Sequence, residues 1–191
     1  MENNKQANPA PLGLLGFGLT TILLNIHNAG FIPLSMVILA MGIAMGGTAQ
    51  VIAGVLSFKK GNTFAGTAFT SYGLFWFSLV LIWIFGSSGN YRIDKISMGY
   101  YLLLWGIFTV FMAIGTKTHT LVSKIVFWSL AALFITLAVG DFTNNDTIIT
   151  IAGFIGIISG GSAFYDAIAQ IVNEELNKTV LPLDCIKKKL S

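Results

Sequence analysis

The chain has 191 residues, is 54% hydrophobic and only 10% charged, which excludes an ordinary soluble domain, where about a quarter of the residues carry charge. Its net charge of +3 and pI near 9.0 come from basic residues almost all outside the apolar runs, without basic–aromatic interleaving. No nucleic-acid partner is therefore expected.

Apolar runs occupy 12–30, 33–57, 64–85, 97–115, 121–140 and 148–172. Each is long enough for a helix to cross a hydrocarbon core of roughly 30 Å. We expect an all-α membrane protein, one domain over 1–191, with six transmembrane helices ringed around a pore within each protomer. The first run exceeds a signal-peptide h-region and is read as a retained span. Nine of the eleven lysines and arginines (Lys5, Lys59, Lys60, Lys117, Lys124, Lys178 and Lys187–Lys189) fall on the side of the two termini; Arg92 and Lys95 fall opposite. The positive-inside rule places both termini in the cytoplasm, with 1–11 and 173–191 as cytoplasmic segments of a multi-pass inner-membrane protein. The lysines of 187–189 form a solvated tail near lipid head groups, and Cys185 is inert for want of a pairing partner.

The first span opens on Asn8-Pro9-Ala10-Pro11-Leu12-Gly13 and carries Phe17, Thr20, Thr21, Asn25 and Asn28. Positions 17, 21, 24 and 28 share a narrow helical sector with Asn25 at its margin. Threonines can bond back to their own helix carbonyls, but carboxamides have four bonding positions to satisfy. An interior, wet stripe is the favoured reading. The second span holds Gln50 among small residues, for a helix–helix hydrogen bond or for the path. Gly42, Gly46, Ala49 and Ala53 form one small-residue stripe, and Gly156 and Gly160 another. Such stripes allow close helix approach, within a chain or between subunits.

The third span, with its leading turn, is the most polar: Asn62, Thr63, Thr67, Thr70, Ser71 and Tyr72. Thr63, Thr67 and Thr70 share a stripe, and Tyr72 falls opposite. Either Tyr72 lies in a different environment or the segment is not a regular helix. The tryptophans Trp76, Trp83, Trp105 and Trp128 serve as interfacial anchors or in ring packing. In the sixth span, Asp166 is the one carboxylate within a span; it lies about 30 Å of helical rise from the outer end and reads as a solvated interfacial group rather than a proton relay. No fixed cation sits mid-membrane, which points to a small polar permeant.

Gly86-Ser87-Ser88-Gly89 matches the serine string of intramembrane proteases, but it follows the third span in an outer loop. His119 lies on the opposite side of the bilayer, and His27 stands beside an ordinary turn. No His-Glu-x-x-His, P-loop or paired buried carboxylates appear. Neither an enzyme, a cofactor nor a metal site is expected.

The string Asn8-Pro9-Ala10-Pro11-Leu12-Gly13-Leu14, continuing into Phe17-Gly18-Leu19-Thr20-Thr21-x-Leu23-Leu24-Asn25, resembles the acetate uptake transporter family, which includes bacterial succinate–acetate permeases. Gly61-Asn62-Thr63-Phe64, Phe69-x-Ser71-Tyr72-Gly73-x-Phe75-Trp76, Tyr101-x-x-x-Trp105-Gly106 and Asn173-Glu174 support the likeness. The resemblance implies six-helix protomers assembled as a homohexamer, acetate as main solute and other short acids such as succinate in some members. It also implies an apolar constriction at Phe17, Tyr72 and, through Val126-Phe127-x-Ser129-Leu130, Leu130. Ala163 matches a position associated with solute size. Asn8, Thr20, Thr21, Asn25, Asn28, Gln50, Asn62, Thr63, Thr67, Thr70 and Ser71 are the candidate polar lining of the path. A urea- or amide-type channel and a non-transporting membrane sensor stand as alternatives, and proton symport and channel-like flow both stay open.

Overall fold

In the computed structural model, residues 7–87 and 93–184 are described. Lys5, Ser88, Gly89, Arg92, Cys185 and the lysines of 187–189, on which the charge count, the serine string and the lone thiol partly rest, lie outside the described residues.

Among the described residues, six helices are long and apolar enough to cross a membrane. They are α1 (Ala10–Asn28), α2 (Met36–Lys59), α3 (Thr63–Ser87), α4 (Lys95–Gly115, continued by a 3₁₀ turn at Thr116–Thr118), α5 (Leu121–Thr143) and α6 (Asp146–Glu175). Their starts are chemical. Pro9 and Pro11 enter α1 where missing N–H groups cost nothing. The side chains of Asn62, Asp94, Thr120 and Asn145 accept the first free N–H groups of α3, α4, α5 and α6. The turns after α1 and α2 put Gly30 and Gly61 at φ +85° and +74°, where a side chain would be strained.

The helices form a ring in chain order, α6 closing on α1. Backbone touches backbone at that closure: a Cβ on Gly18 would meet Phe164 N at 2.7 Å, and one on Gly160 would meet Ile22 N at 2.8 Å. The Gly42 and Gly46 stripe takes Val80 and Trp76 of α3, and Gly156 takes Asn25 of α1. Both small-residue stripes are thus used for packing inside the chain. Between α3 and α4 the gap is filled by rings instead, with Phe75 stacked on Tyr101 at 5.7 Å and edge-on to Trp105 at 5.3 Å.

The middle of α2, Gly42–Ala49, is π-helical. Thr48 Oγ1 donates back five residues to Ile43 O at 2.9 Å, as the wider turn requires. Thr20 of α1 donates to Gly16 O at 2.8 Å and reaches Met41 O, at the edge of that segment, at 3.3 Å.

Candidate functional site

Two cavities lie within the ring. The distal one, at the end away from the termini, has a volume of about 390 Å³, and the proximal one about 190 Å³. Among the described residues, Phe17, Tyr72 and Leu130 alone line both. They are 6%, 4% and 3% exposed, and the rings of Phe17 and Tyr72 stand 6.2 Å apart. One residue each from α1, α3 and α5 therefore partitions the interior. The Tyr72 hydroxyl donates to Thr109 Oγ1 on α4, and Thr109 spends its own proton on Trp105 O at 2.7 Å. The partition consequently presents rings and a leucine side chain, with no free hydroxyl.

The distal cavity is apolar through Phe75, Leu79, Trp83, Leu133 and Phe134, with a few polar groups set into it. Asn25 Nδ2 donates to Thr21 O at 2.8 Å, and Asn25 Oδ1 accepts from Asn28 at 3.1 Å. Thr21 Oγ1 is buried and unpartnered, unlike the back-bonded Thr20, and Trp76 Nε1 is also buried and unpartnered. Both belong to residues that line the cavity, and leaving these donors unmet costs roughly 1–3 kcal/mol each. Lys95, Asp141 and Asp146 stand at the rim.

The proximal cavity is lined by Gln50, Asn62, His119, Ser123, Asp166 and Gln170 among apolar residues of α1, α3 and α5. Gln50 Nε2 donates to its own helix at Gly46 O, while its Oε1 is buried without a partner. Asp166 corrects the expectation of a solvated interfacial carboxylate. It is 1% exposed, accepting from Ser123 Oγ at 2.9 Å and from Gln170 Nε2 at 2.9 Å. The physical reason is the neighbouring start of α5, whose Ser123 meets the carboxylate; residues after α6 also cross that start, Leu183 O accepting from Val122 N, Asp184 from Leu121 N, and Pro182 O from Tyr165 Oη.

Several sequence candidates sit elsewhere. Thr63, Thr67, Thr70 and Ser71 line neither cavity. The helix is regular from Thr63, so Tyr72 lies opposite the threonine stripe, and Thr70 packs against Gly54 of α2. Thr20 is fully buried between α1 and α2, and Ala163 is buried in the core, neither lining a cavity. Asn8 is exposed at the proximal end: it donates to Gln170 Oε1 at 2.9 Å and accepts from Ala10 N at 3.1 Å. Residues that sequence reading did not assign to the path include Ser123, Gln170, His119 and Trp76. Trp76 lies four residues after Tyr72, one turn along the same face, which was the available signal. His27 binds Ile32 O and stays in its turn.

Known proteins resemble this architecture. Residues 1–184 match the model of the GPR1/FUN34/yaaH family. The succinate-acetate/proton symporter SatP of Escherichia coli (strain K12) is 53% identical over 184 residues, covering 96% of this chain and 98% of that protein. Acetate permease A of Emericella nidulans is 31% identical, covering 96% of this chain and 67% of its own length. A solved structure described as that of the bacterial acetate channel SatP superposes with a TM-score of 0.92 at 53% identity, over 94% of this chain and 99% of the other.

Proposed function

Because the chain belongs to the GPR1/FUN34/yaaH family, we propose that it transports acetate, and with it succinate or related short carboxylates, through the interior of each protomer. The observation that carries this reading is the partition shared by two cavities, made of Phe17, Tyr72 and Leu130. These three form the neck. A two-carbon acid can present its methyl group to such an apolar ring, and only its carboxyl end must be desolvated. On the distal side that end passes Thr21 and Trp76, whose Oγ1 and Nε1 are donors without a partner in the protein. Asn25 and Asn28 form the distal approach, Gln50 and Asn62 the proximal one, and Asn8 fixes the proximal mouth through Gln170. Ala163 acts on solute size by setting how closely α6 seats in the core. Thr20 supports this path from the α1–α2 contact.

The distal side faces outward and the proximal side, with both termini, faces the cytoplasm of an inner-membrane protein; the lysine distribution supports this. Assembly into a homohexamer follows the family resemblance and is read by cross-linking in native membranes, where a ladder ending at six is expected. The function is tested by radiolabelled acetate and urea uptake into proteoliposomes, with and without an imposed pH gradient. Acetate entry above protein-free vesicles is expected. Urea entry without acetate entry overturns the proposal, and a solute-tight protein favours a sensor.

A further inference from the structure

Among the residues that line the cavities, the unmet hydrogen-bonding atoms differ by side of the neck. On the distal side they are Thr21 Oγ1 and Trp76 Nε1, which can donate; on the proximal side stands Gln50 Oε1, an acceptor only, beside the carboxylate of Asp166. In the proximal cavity a solute anion meets a buried carboxylate, whereas the distal carboxylates Asp141 and Asp146 stand at the rim beside Lys95. Asp166 is held by two neutral donors, Ser123 and Gln170, and no ion pair to it occurs among the described residues. Each carboxylate oxygen spends one acceptor position on these bonds and keeps another. The other titratable side chains lining the cavity are His119, whose ring stands edge-on to Phe64 at 4.7 Å, and Tyr72, whose hydroxyl is given to Thr109. Lys60 and Lys124, at the same end, do not line it.

We propose that Asp166 is the proton-binding group of the proximal cavity, so that a carboxylate solute shares that cavity with Asp166 only when the pair holds one proton. Two carboxylates in one small cavity repel each other, and one shared proton relieves that repulsion. The step balances simply. The proton arrives on the solute from the distal side and lies in one O–H···O bond between an Asp166 oxygen and the solute carboxylate. When the solute leaves as an anion, the O–H bond on Asp166 breaks and the proton follows to cytoplasmic water. One proton moves with each carboxylate, and no other bond changes. Ser123 and Gln170 hold the acceptor toward the cavity, and the Gln170–Asn8 bond ties it to the entry of α1.

This rests on the acetate reading, and the test separates the two. Exchange of labelled for unlabelled acetate is measured in proteoliposomes at equal pH on both sides, across pH 5 to 9. The wild-type rate is expected to fall about tenfold per unit at the alkaline end, the slope of a single proton. Asp166→Asn is expected to exchange with a flat profile, and Asp166→Glu to restore the slope. A flat wild-type profile, or an Asp166→Asn profile as steep as wild type, overturns the proposal and leaves acetate transport standing. No exchange by wild-type protein at any pH overturns the acetate reading itself. A second measurement needs no variant: a hydrophobic carbodiimide, which reacts with protonated carboxyls, is expected to label Asp166 of the wild-type protein at low pH and more slowly with saturating acetate. Labelling of Asp166 that ignores acetate counts against it.

Discussion

The hydroxyl of Tyr72 donates to Thr109 Oγ1 across 3.0 Å of buried space, joining α3 to α4 beside the neck. The bond aims the phenol ring while keeping its polar end out of the path. Replacing Tyr72 with Phe keeps the ring and removes the bond. The expected cost is about 1 kcal/mol of stability, read by thermal unfolding in detergent, with acetate transport retained and solute preference unchanged. A changed preference in that variant would show that the hydroxyl itself meets the solute.

Leu130 supplies the third side of the neck from α5 and is 3% exposed. Truncation to Ala removes a side chain that touches both cavities, merging about 390 and 190 Å³ through a wider opening. Three-carbon acids such as lactate should then enter at rates approaching acetate. Competition of unlabelled lactate against labelled acetate uptake reads this directly, and an unchanged competition profile removes Leu130 from the neck.

Much of this arrangement is legible in the sequence, and the remainder fails for identifiable reasons. The six spans follow from apolar runs bounded by capping residues such as Asn62, Thr120 and Asn145. Helical spacing also puts Tyr72 opposite Thr63, Thr67 and Thr70, but a wheel gives only relative directions. Which side faces the interior depends on Gly54 receiving Thr70, a contact between different helices. Asp166 is similar. Its depth follows from helical rise, whereas its burial follows from packing against the start of α5, where its partner Ser123 is 43 positions away.

The two buried, unpartnered threonine hydroxyls provide a matched comparison. Thr21 lines the distal cavity and Thr70 does not. Valine has nearly the same shape and removes the polar atom. Thr70→Val is expected to raise or preserve the unfolding temperature, because an unmet hydroxyl is costly, and to leave acetate uptake unchanged. Thr21→Val should preserve folding equally well but raise the KM for acetate several-fold, as loss of one hydrogen bond worth about 1 kcal/mol implies. Equal behaviour of the two variants in uptake would remove Thr21 from the path.

Asp94 caps α4 at the distal end, its Oδ1 accepting from Ser97 N at 2.8 Å. Hydrogen bonds from Ser97, side chain first and then backbone, hold its carboxyl below the usual carboxylate range. A depressed folded value means that the cap contributes above the ordinary aspartate value and is lost as pH falls through the folded value. Amide exchange in the first turn of α4 should therefore quicken on strong acidification. Asp94→Asn, which still caps but does not titrate, should abolish that pH dependence.

Gly156 faces the Asn25 carboxamide so closely that an added Cβ would overlap it. Asn25 is held at both ends, donating to Thr21 O and accepting from Asn28. In Gly156→Ala the amide must swing toward the distal cavity or α1 must leave α6, and overpacking of this kind costs typically 1–3 kcal/mol. Reduced thermal stability and reduced acetate uptake are both expected. Adding Asn25→Ala removes the overlapping atoms, so the double variant should recover stability relative to Gly156→Ala alone. Such non-additivity marks direct contact. Additive losses would mean that Gly156 acts through the α1–α6 backbone approach, already tight at Gly18 and Gly160, and that the Asn25 amide is free to relax.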